Sequence, residues 1–199
     1  MIVKLSINLL EFIFRVYSHC YGVKVKGLEN IPLSGPVILA CNHLSNFDPV
    51  VMGGFAGKRR HSIYFIKKEL GSWPILGWLF KKYDFIFVDR KRQGGDLHAL
   101  KEALKVLKRG ESLAIFPEGT RSKTGKMGQA KAGIGFLVYH SQAPVVPIKV
   151  VKTEKMPFTW APEVIFGKPL TVKADETRPL KEQYQEFADK VMNEIKKLK

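Results

Sequence analysis

Short runs of Val, Ile and Phe recur along the chain and alternate with segments whose apolar residues follow helical spacing. Several of these short runs are apolar throughout, which is typical of parallel strands that are covered on both faces. The predicted strands are 23–27, 36–42, 62–67, 84–89, 112–117, 144–151 and 163–170. This alternation predicts an α/β domain whose mixed, largely parallel central sheet is flanked by helices.

Helices are predicted between and after these strands, each with a start or stop signal of its own. Their predicted positions are 49–57, the stretch between Asp96 and Gly110, a helix that follows the glycine-rich stretch 125–135, and a last helix that begins near Pro179. Asp48 is expected to be the N-cap of the first helix, with Pro49 in its first position. Asp96 is expected to cap the second helix, and Gly110 to stop it.

The first 21 residues form the most apolar long stretch of the chain. Polar residues interrupt it at spacings of three and four, which collects them on one stripe of a helix: Lys4, Asn8, Glu11, Arg15 and Ser18. The charges argue against a signal peptide and against a spanning helix, which needs about 20 predominantly apolar residues. Residues 1–21 are therefore predicted to be an amphipathic helix in the membrane interface, with 22–199 as a single α/β domain. The alternative is a helix that packs on the core of the protein itself.

The chain is strongly basic, with 33 Lys and Arg against 18 Asp and Glu and a net charge of +15. Such a surface should bind nucleic acid, anionic lipid headgroups, or an acidic protein or cofactor. Anionic lipid suits the apolar amino terminus, because each Lys or Arg near an anionic membrane surface adds about 1 kcal/mol. A nucleic-acid-binding domain would explain the charge, but not this amino terminus, and none of the familiar binding signatures is visible.

The run "NHLSNFD", residues 42–48, places His43 at the carboxyl end of a predicted strand. Open α/β sheets bind ligands at that end of their strands, and histidine is the side chain best suited to proton transfer near pH 7. Asp48 could orient the imidazole, as a carboxylate does in a hydrolase triad. Alone, the motif favours a loop histidine beside a helix cap.

Three further motifs follow in order: "FIFVDR" (85–90), "FPEGTRS" (116–122) and "VVPI" (145–148). In the second of these, Gly119 permits close backbone approach, and Arg121 offers a planar fork for a phosphate or carboxylate. Glu118 could position that guanidinium or a substrate hydroxyl, while Lys126 and Lys131 would reinforce an anion site. By itself, the motif at 85–90 favours a solvated basic turn. The motif at 145–148 is fully explained by a buried strand with Pro147 at an edge or bulge.

Only two cysteines are present, Cys20 and Cys41, which is too few for a disulfide scaffold or a zinc cluster and favours a reducing compartment. Cys41 and His43 would point to the same face of a strand, so a thiol nucleophile is one interpretation. A hydrolase with Cys41 or Ser45 as its nucleophile is a further interpretation. Against it, the sequence has no sharp glycine-flanked nucleophile turn at either residue. A buried, apolar Cys41 is the favoured interpretation.

Taken together and in this order, the four motifs resemble those of the glycerolipid acyltransferases, and most closely the bacterial 1-acyl-glycerol-3-phosphate acyltransferases. The segments "KKEL" (67–70) and "PILGWLF" (74–80) are also similar to that family, and the resemblance runs from about Gly27 to Ile148. One departure is that the family often has a Gly several residues before the Arg of its second motif, where this chain has Tyr83-Asp84-Phe85.

The resemblance implies transfer of a fatty acyl group to the sn-2 hydroxyl of lysophosphatidate, which forms phosphatidic acid in phospholipid biosynthesis. The donor would be the thioester of acyl carrier protein or coenzyme A, and no metal or other cofactor is implied. His43 would be the general base, with Asp48 as its orienting partner. The residues implied for binding the acceptor are Lys67, Arg90, Glu118, Gly119, Thr120 and Arg121.

A polyanionic donor and an anionic lipid surface would suit the basic chain, whereas no nucleic-acid partner is implied. The expected location is the cytoplasmic face of the cell membrane. The same motif residues would serve other acyltransferases of the superfamily, acting on glycerol 3-phosphate, on a lysophospholipid with a larger headgroup, or on an amino-lipid. Glycerol-3-phosphate acyltransferases tend to be longer than this chain.

Overall fold

In the computed structural model, which describes residues 2–89, 97–122, 124–157 and 161–199, seven strands form one sheet in the order β1-β7-β6-β2-β5-β3-β4. The strands are β1 Lys24–Lys26, β2 Val37–Cys41, β3 Ser62–Lys67, β4 Ile86–Val88, β5 Ser112–Ile115, β6 Val145–Val151 and β7 Glu163–Phe166. Neighbouring strands are parallel except β6 and β7, which are antiparallel. The prediction of a mixed, largely parallel sheet is thus confirmed.

The α-helices in the described ranges are α1 Ile2–Cys20, α2 Asp48–Ala56, α3 Pro74–Lys82, α4 Leu97–Lys108, α5 Gly133–Ser141 and α6 Leu180–Lys197. Each predicted strand and helix has a counterpart among these elements, with ends that differ by a few residues. Helix α3 was not predicted, because 74–80 is an almost unbroken apolar run, and periodicity alone does not assign such a run to a helix or a strand. The predicted Asp96 cap lies outside the described residues, and α4 is followed by Gly110 at φ +76°.

Two cores cover the two faces of the sheet, and β2 contributes to both. Ile38 and Ala40 pack with α4, α5 and α6, whereas Val37, Leu39 and Cys41 pack with α2. Successive side chains of a strand point to opposite faces, so a central strand covered on both sides must be apolar at every position. This requirement explains why 37–41 reads as an unbroken apolar run.

The prediction that Asp48 is the N-cap of α2 is wrong by one residue. The cap position is Phe47, and Asp48 is the first residue of the helix, followed by Pro49. The carboxylate of Asp48 does not bond the first turn of the helix. It turns back instead and accepts hydrogen bonds from the backbone N–H groups of Leu44 and Ser45.

Helix α1 packs against α2 with its polar side. A Cβ added to Gly54 of α2 would lie 2.8 Å from the backbone nitrogen of Arg15, so glycine allows the two helix backbones to approach closely. Ser18 is buried, and Oε1 of Glu11 lies 2.9 Å from Nδ1 of His61. The exposed residues of α1 include four large apolar ones: Leu9, Phe12, Ile13 and Val16. No helix in the described ranges is both long and apolar enough to cross a membrane.

The contact between α5 and α6 generates the first prediction, a Gly135→Ala variant. A Cβ at Gly135 would lie 2.1 Å from the carbonyl oxygen of Tyr184, so the helices would have to move apart. We expect the free energy of unfolding to fall by about 1–3 kcal/mol, the usual cost of overpacking, in urea denaturation. Gly133→Ala in the same helix is the control, since its Cβ would meet Leu100 at an ordinary 3.5 Å. Equal effects of the two substitutions would contradict the close packing.

Candidate active site

The candidate site lies where β2 and β5 end side by side at the centre of the sheet. The chain leaves β2 for α2, on one face, and leaves β5 for α5, on the opposite face. Adjacent strands whose connections diverge in this way open a crevice at their carboxyl ends, where α/β proteins bind ligands. The loops that border the crevice are 42–47 and the described parts of the loop after β5, 116–122 and 124–132.

His43 and Asp48 form a directly bonded pair in this crevice. Nδ1 of His43 lies 2.7 Å from Oδ2 of Asp48. The carboxylate is completely buried, and His43 is 8% exposed. A carboxylate at Nδ1 favours the tautomer with the proton on that nitrogen, which leaves Nε2 as a proton acceptor. No other described residue forms a hydrogen bond to Nε2. The predicted base and its orienting partner therefore have the geometry that proton abstraction requires.

Three more donors hold the Asp48 carboxylate. The backbone N–H groups of Leu44 and Ser45 donate to Oδ2 at 2.6 and 2.8 Å, and the hydroxyl of Thr153 donates to Oδ1 at 2.5 Å. A buried carboxylate needs such partners because water cannot solvate it. With these bonds in place, Asp48 can rotate neither away from the imidazole nor out of the crevice.

Thr153 is a site residue that the sequence did not reveal. It is fully buried in a short 3₁₀ turn, Thr153–Lys155, just after β6. Parallel pairing of β2 with β6 sets Cys41 beside Ile148 and brings this turn next to the loop after β2. The side chain of Asn42 strengthens the junction by donating to the carbonyl of Val150 and accepting from its N–H. No local sequence signal marks Thr153, because its role depends on strand pairing across 105 residues.

Glu118 is buried and lies beside the histidine. Its Oε1 accepts the backbone N–H of His43 at 2.8 Å, and its Oε2 accepts the N–H of Gly128 at 2.7 Å. The carbonyl of His43 in turn accepts the N–H of Ser122 at 2.8 Å. The carboxylate thus joins the loop after β2 to both ends of the loop after β5. Contact of Glu118 with an acceptor stays a prediction.

The histidine ring is also fixed by stacking. The rings of His43 and Phe116 lie 4.0 Å apart between centroids and are inclined by 19°. Phe116 is the first residue of the predicted third motif and follows β5 directly. The stack and the Asp48 bond together define both the position of the imidazole and its rotation.

The loop 119–131 presents positive charge close to the histidine. Gly119 has φ +69°, and a Cβ there would lie 2.9–3.1 Å from side-chain atoms of Lys131, so this lysine crosses over the glycine. Arg121 is exposed, and its guanidinium makes no hydrogen bond or ion pair with the described residues. Thr120 is also exposed, and its hydroxyl donates to the carbonyl of Arg121. Two cations and an open backbone turn are suitable for binding an anionic group.

Two further residues were predicted to bind the acceptor, Lys67 and Arg90. Lys67 is exposed and ends β3, at the same edge of the sheet as His43. Arg90 lies outside the described residues. Asp84, in the segment where the resembled family often has a glycine, adopts φ +54°. A left-handed conformation favours glycine but is tolerated by aspartate, so this turn of the chain forms without a glycine.

Cys41 is fully buried on the α2 side of β2. Burial raises the pKa of its thiol well above the usual value, and the nearby charges of Asp48 and Glu118 raise the pKa further. A thiol in such surroundings remains protonated and is a poor nucleophile. The structure therefore supports a packing role for Cys41.

Comparisons with known proteins agree with this geometry. The family model described as Acyltransferase matches residues 22–151. A 1-acyl-sn-glycerol-3-phosphate acyltransferase of Bacillus subtilis is 31% identical, over 89% of this chain and 88% of that protein. The crystal structure of PlsC from Thermotoga maritima, titled a 1-acyl-sn-glycerophosphate acyltransferase, has a TM-score of 0.73 and 25% identity, and covers 98% of this chain and 81% of that one.

Other relatives are longer than this chain. The chloroplastic 1-acyl-sn-glycerol-3-phosphate acyltransferase LPAT1 of Arabidopsis thaliana is 34% identical over 68% of this chain, which spans only 38% of that protein. The family match covers well over half of the chain, and it includes His43, Asp48, Glu118 and Arg121. The chain belongs to the acyltransferase family.

Proposed function

We propose that this protein transfers a fatty acyl group from an acyl thioester to the sn-2 hydroxyl of 1-acyl-glycerol-3-phosphate, forming phosphatidic acid. The observation that carries the proposal is the His43–Asp48 pair, whose Nε2 is free of partners among the described residues, beside a loop that carries Arg121 and Lys131. The names of the relatives support the same acceptor. A base next to an anion site is what a reaction on a phosphate-bearing alcohol requires.

In the proposed reaction, Nε2 of His43 takes the proton of the acceptor hydroxyl as its oxygen attacks the thioester carbonyl. The imidazolium is stabilised by the Asp48 carboxylate, which is itself held by four hydrogen bonds. Collapse of the tetrahedral intermediate breaks the carbon–sulfur bond, and the thiolate that leaves takes up the proton. Because a thioester is already activated, no covalent enzyme intermediate is needed.

Arg121 and Lys131 would bind the phosphate of the acceptor, together with Lys67 and Arg90. Gly119 and Thr120 would shape the turn around it. Glu118, whose two oxygens accept backbone N–H groups, would act mainly by positioning His43. The donor would be carried by acyl carrier protein or coenzyme A, both of which are acidic and complement a net charge of +15.

We also propose that α1 rests on the cytoplasmic face of the cell membrane. Its polar residues Glu11 and Ser18 face the protein, whereas Phe12, Ile13 and Val16 are exposed. When an amphipathic helix packs on the protein with its polar side, its apolar side faces outward. That side is then available to a nonpolar partner. A lipid interface would also supply the acceptor and take up the product.

The reaction is tested by offering purified protein a panel of lyso-acceptors and both donor types, with products identified by mass. His43→Ala should lower kcat by roughly 10²–10⁴, because the general base is lost. His98→Ala, at an exposed position on α4, is the matched control and should retain full activity. Robust transfer by a folded His43→Ala variant would overturn the mechanism, and preference for another acceptor would redirect the substrate assignment.

Phosphate binding is tested with Arg121→Ala on lysophosphatidate and on a neutral monoacylglycerol. We expect kcat/KM for lysophosphatidate to fall by roughly 10- to 100-fold through KM, since a charge-assisted hydrogen bond contributes about 1.5–3 kcal/mol. The neutral acceptor should be almost unaffected. Arg109→Ala, which removes a surface pair with Glu111, is the matched control.

Glu118→Gln gives the contrasting result in the same assay. The amide cannot accept both backbone N–H groups, so kcat should fall for both acceptors with KM little changed. A KM effect that is confined to the phosphate acceptor would instead make Glu118 a ligand. For the Arg121→Ala variant, an equal loss of kcat/KM on both acceptors would refute contact between Arg121 and the phosphate.

The role of α1 is tested with a Phe12→Lys/Ile13→Lys variant in flotation with anionic vesicles. Two charges on the outward face should move most of the protein from the vesicle fraction to the soluble fraction, because charged residues are costly in the apolar layer. A Leu33→Lys variant, at another exposed apolar position, should float like the parent chain. Full retention of the double variant on vesicles would exclude α1 as the contact.

A further inference from the structure

Two tryptophans are exposed on the segment that joins β3 to β4. Trp73 is 53% exposed and Trp78 is 58% exposed. Trp73 precedes α3 directly, and Trp78 lies within it. Tryptophan is a large apolar side chain that folded proteins usually cover, and neither residue takes part in the proposed chemistry. Two such rings on one short segment mark it as a candidate interaction surface.

The tryptophans are exposed because α3 is held in a fixed orientation. Gly77 of α3 packs on the preceding turn, where an added Cβ would lie 2.4 Å from the carbonyl oxygen of Gly71. Gly71 in turn packs on the ring of Phe87 in β4. On its inner side, α3 stacks Phe80 on Phe85 with 5.6 Å between ring centroids. The side of α3 that carries Trp78 is therefore directed outward by packing on the other side.

Lysines flank the exposed tryptophans in the sequence. Residues 67–82 include four lysines, Lys67, Lys68, Lys81 and Lys82, against the single acidic residue Glu69. Nζ of Lys82 lies over the ring of Trp78, 4.4 Å from its centroid. Lys68 has a long ion pair, 3.9 Å, with Asp89. Apolar rings on a segment flanked by lysines match the boundary between the headgroups and acyl chains of an anionic bilayer.

The same segment is connected to α1 and to the candidate site. His61 bonds Glu11 of α1 at 2.9 Å, and its ring stacks with that of Phe85, the partner of Phe80 in α3. At its other end the segment begins at Lys67, where β3 ends at the sheet edge that carries His43. The segment that carries the tryptophans is thus linked to α1 through Phe80, Phe85 and His61, and it begins at the sheet edge where the crevice lies.

We propose that the segment 67–82 is a second membrane-docking element, in which Trp73 and Trp78 insert into the interface of an anionic bilayer and the lysines bind its headgroups. The inference rests on the proposed function, since it assumes a lipid acceptor that enters the site from the bilayer. It names a surface that is distinct from α1 and begins at the edge of the crevice. A docked segment would deliver a lyso-lipid to His43 without complete transfer through water.

The test uses the intrinsic fluorescence of the two tryptophans. The third tryptophan of the chain is removed by the substitution Trp160→Phe, so that all tryptophan emission comes from Trp73 and Trp78. Vesicles of phosphatidylglycerol with brominated acyl chains should quench this emission and shift it to the blue, whereas neutral phosphatidylcholine vesicles should do so weakly. Emission that stays fully open to aqueous iodide on bound vesicles, without quenching by bromine, would overturn the proposal.

Variants then assign the effect to the surface. Trp73→Ser and Trp78→Ser should each lower partition onto anionic vesicles by roughly tenfold, since burial of a large apolar side chain contributes about 1.5–3 kcal/mol. Leu180→Ser, at an exposed apolar position that begins α6, should not change partition. Circular dichroism checks folding. If a double Trp73→Ser/Trp78→Ser variant binds vesicles as well as the parent chain does, the proposal that this surface docks on the bilayer is wrong.

Other outcomes separate this inference from the proposed function. If acyl transfer to lysophosphatidate is observed but the tryptophans are not quenched, only the docking surface is wrong. If the tryptophans are quenched but no acyl transfer occurs, only the assigned reaction is wrong. An emission change with acyl carrier protein and none with vesicles would assign the surface to an acidic protein and overturn the lipid proposal.

Discussion

The buried carboxylate of Asp48 is the group on which the rest of the site depends. It accepts hydrogen bonds from the ring of His43, from two backbone N–H groups of the turn and from the hydroxyl of Thr153. An uncompensated buried charge would be strongly destabilising, whereas each hydrogen bond to a charged group contributes about 1.5–3 kcal/mol. The folded turn therefore forms as a unit: the charge requires the donors, and the donors fix the imidazole.

Sheet topology brings the contributing segments together. The central position of β2, between β5 and β6, sets the His43 turn between the loop of Glu118 and the turn of Thr153. Glu118 bonds the backbone of His43, Asn42 bonds Val150, and Phe116 stacks on the imidazole. A side chain held from three sides is oriented before any ligand arrives, and for the proposed base this would lower the cost of reaching the reactive geometry.

The exposed apolar residues of α1 and α3 follow a common arrangement. Each helix is anchored by close backbone contact at glycine, Gly54 beneath α1 and Gly77 within α3, and directs large apolar residues outward. Exposed apolar residues add little to the stability of the isolated domain, and the proposed bilayer contact would cover them. The proposed chemistry on a lipid acceptor and the proposed bilayer contact thus account for different residues of the same chain.

Much of this protein was predictable from its sequence because the signals are local. Strand positions, the parallel α/β class and most helices follow from apolar spacing and from turn residues within a few positions of one another. The family followed from four short motifs in order, and His43 with Asp48 was found because the pair lies on one turn. The exact start of α2 was missed, since Asp48 bonds backward to Leu44 and Ser45 rather than forward into the helix.

Only the tertiary structure decided the rest, because those features depend on groups distant in sequence. Thr153 reaches Asp48 through the pairing of β2 with β6, and Glu118 turns its carboxylate onto the His43 backbone through the pairing of β2 with β5. The outward direction of Trp73 and Trp78 depends on what covers the inner side of α3. Periodicity specifies which residues share a face, and packing against the remainder of the chain determines where that face points.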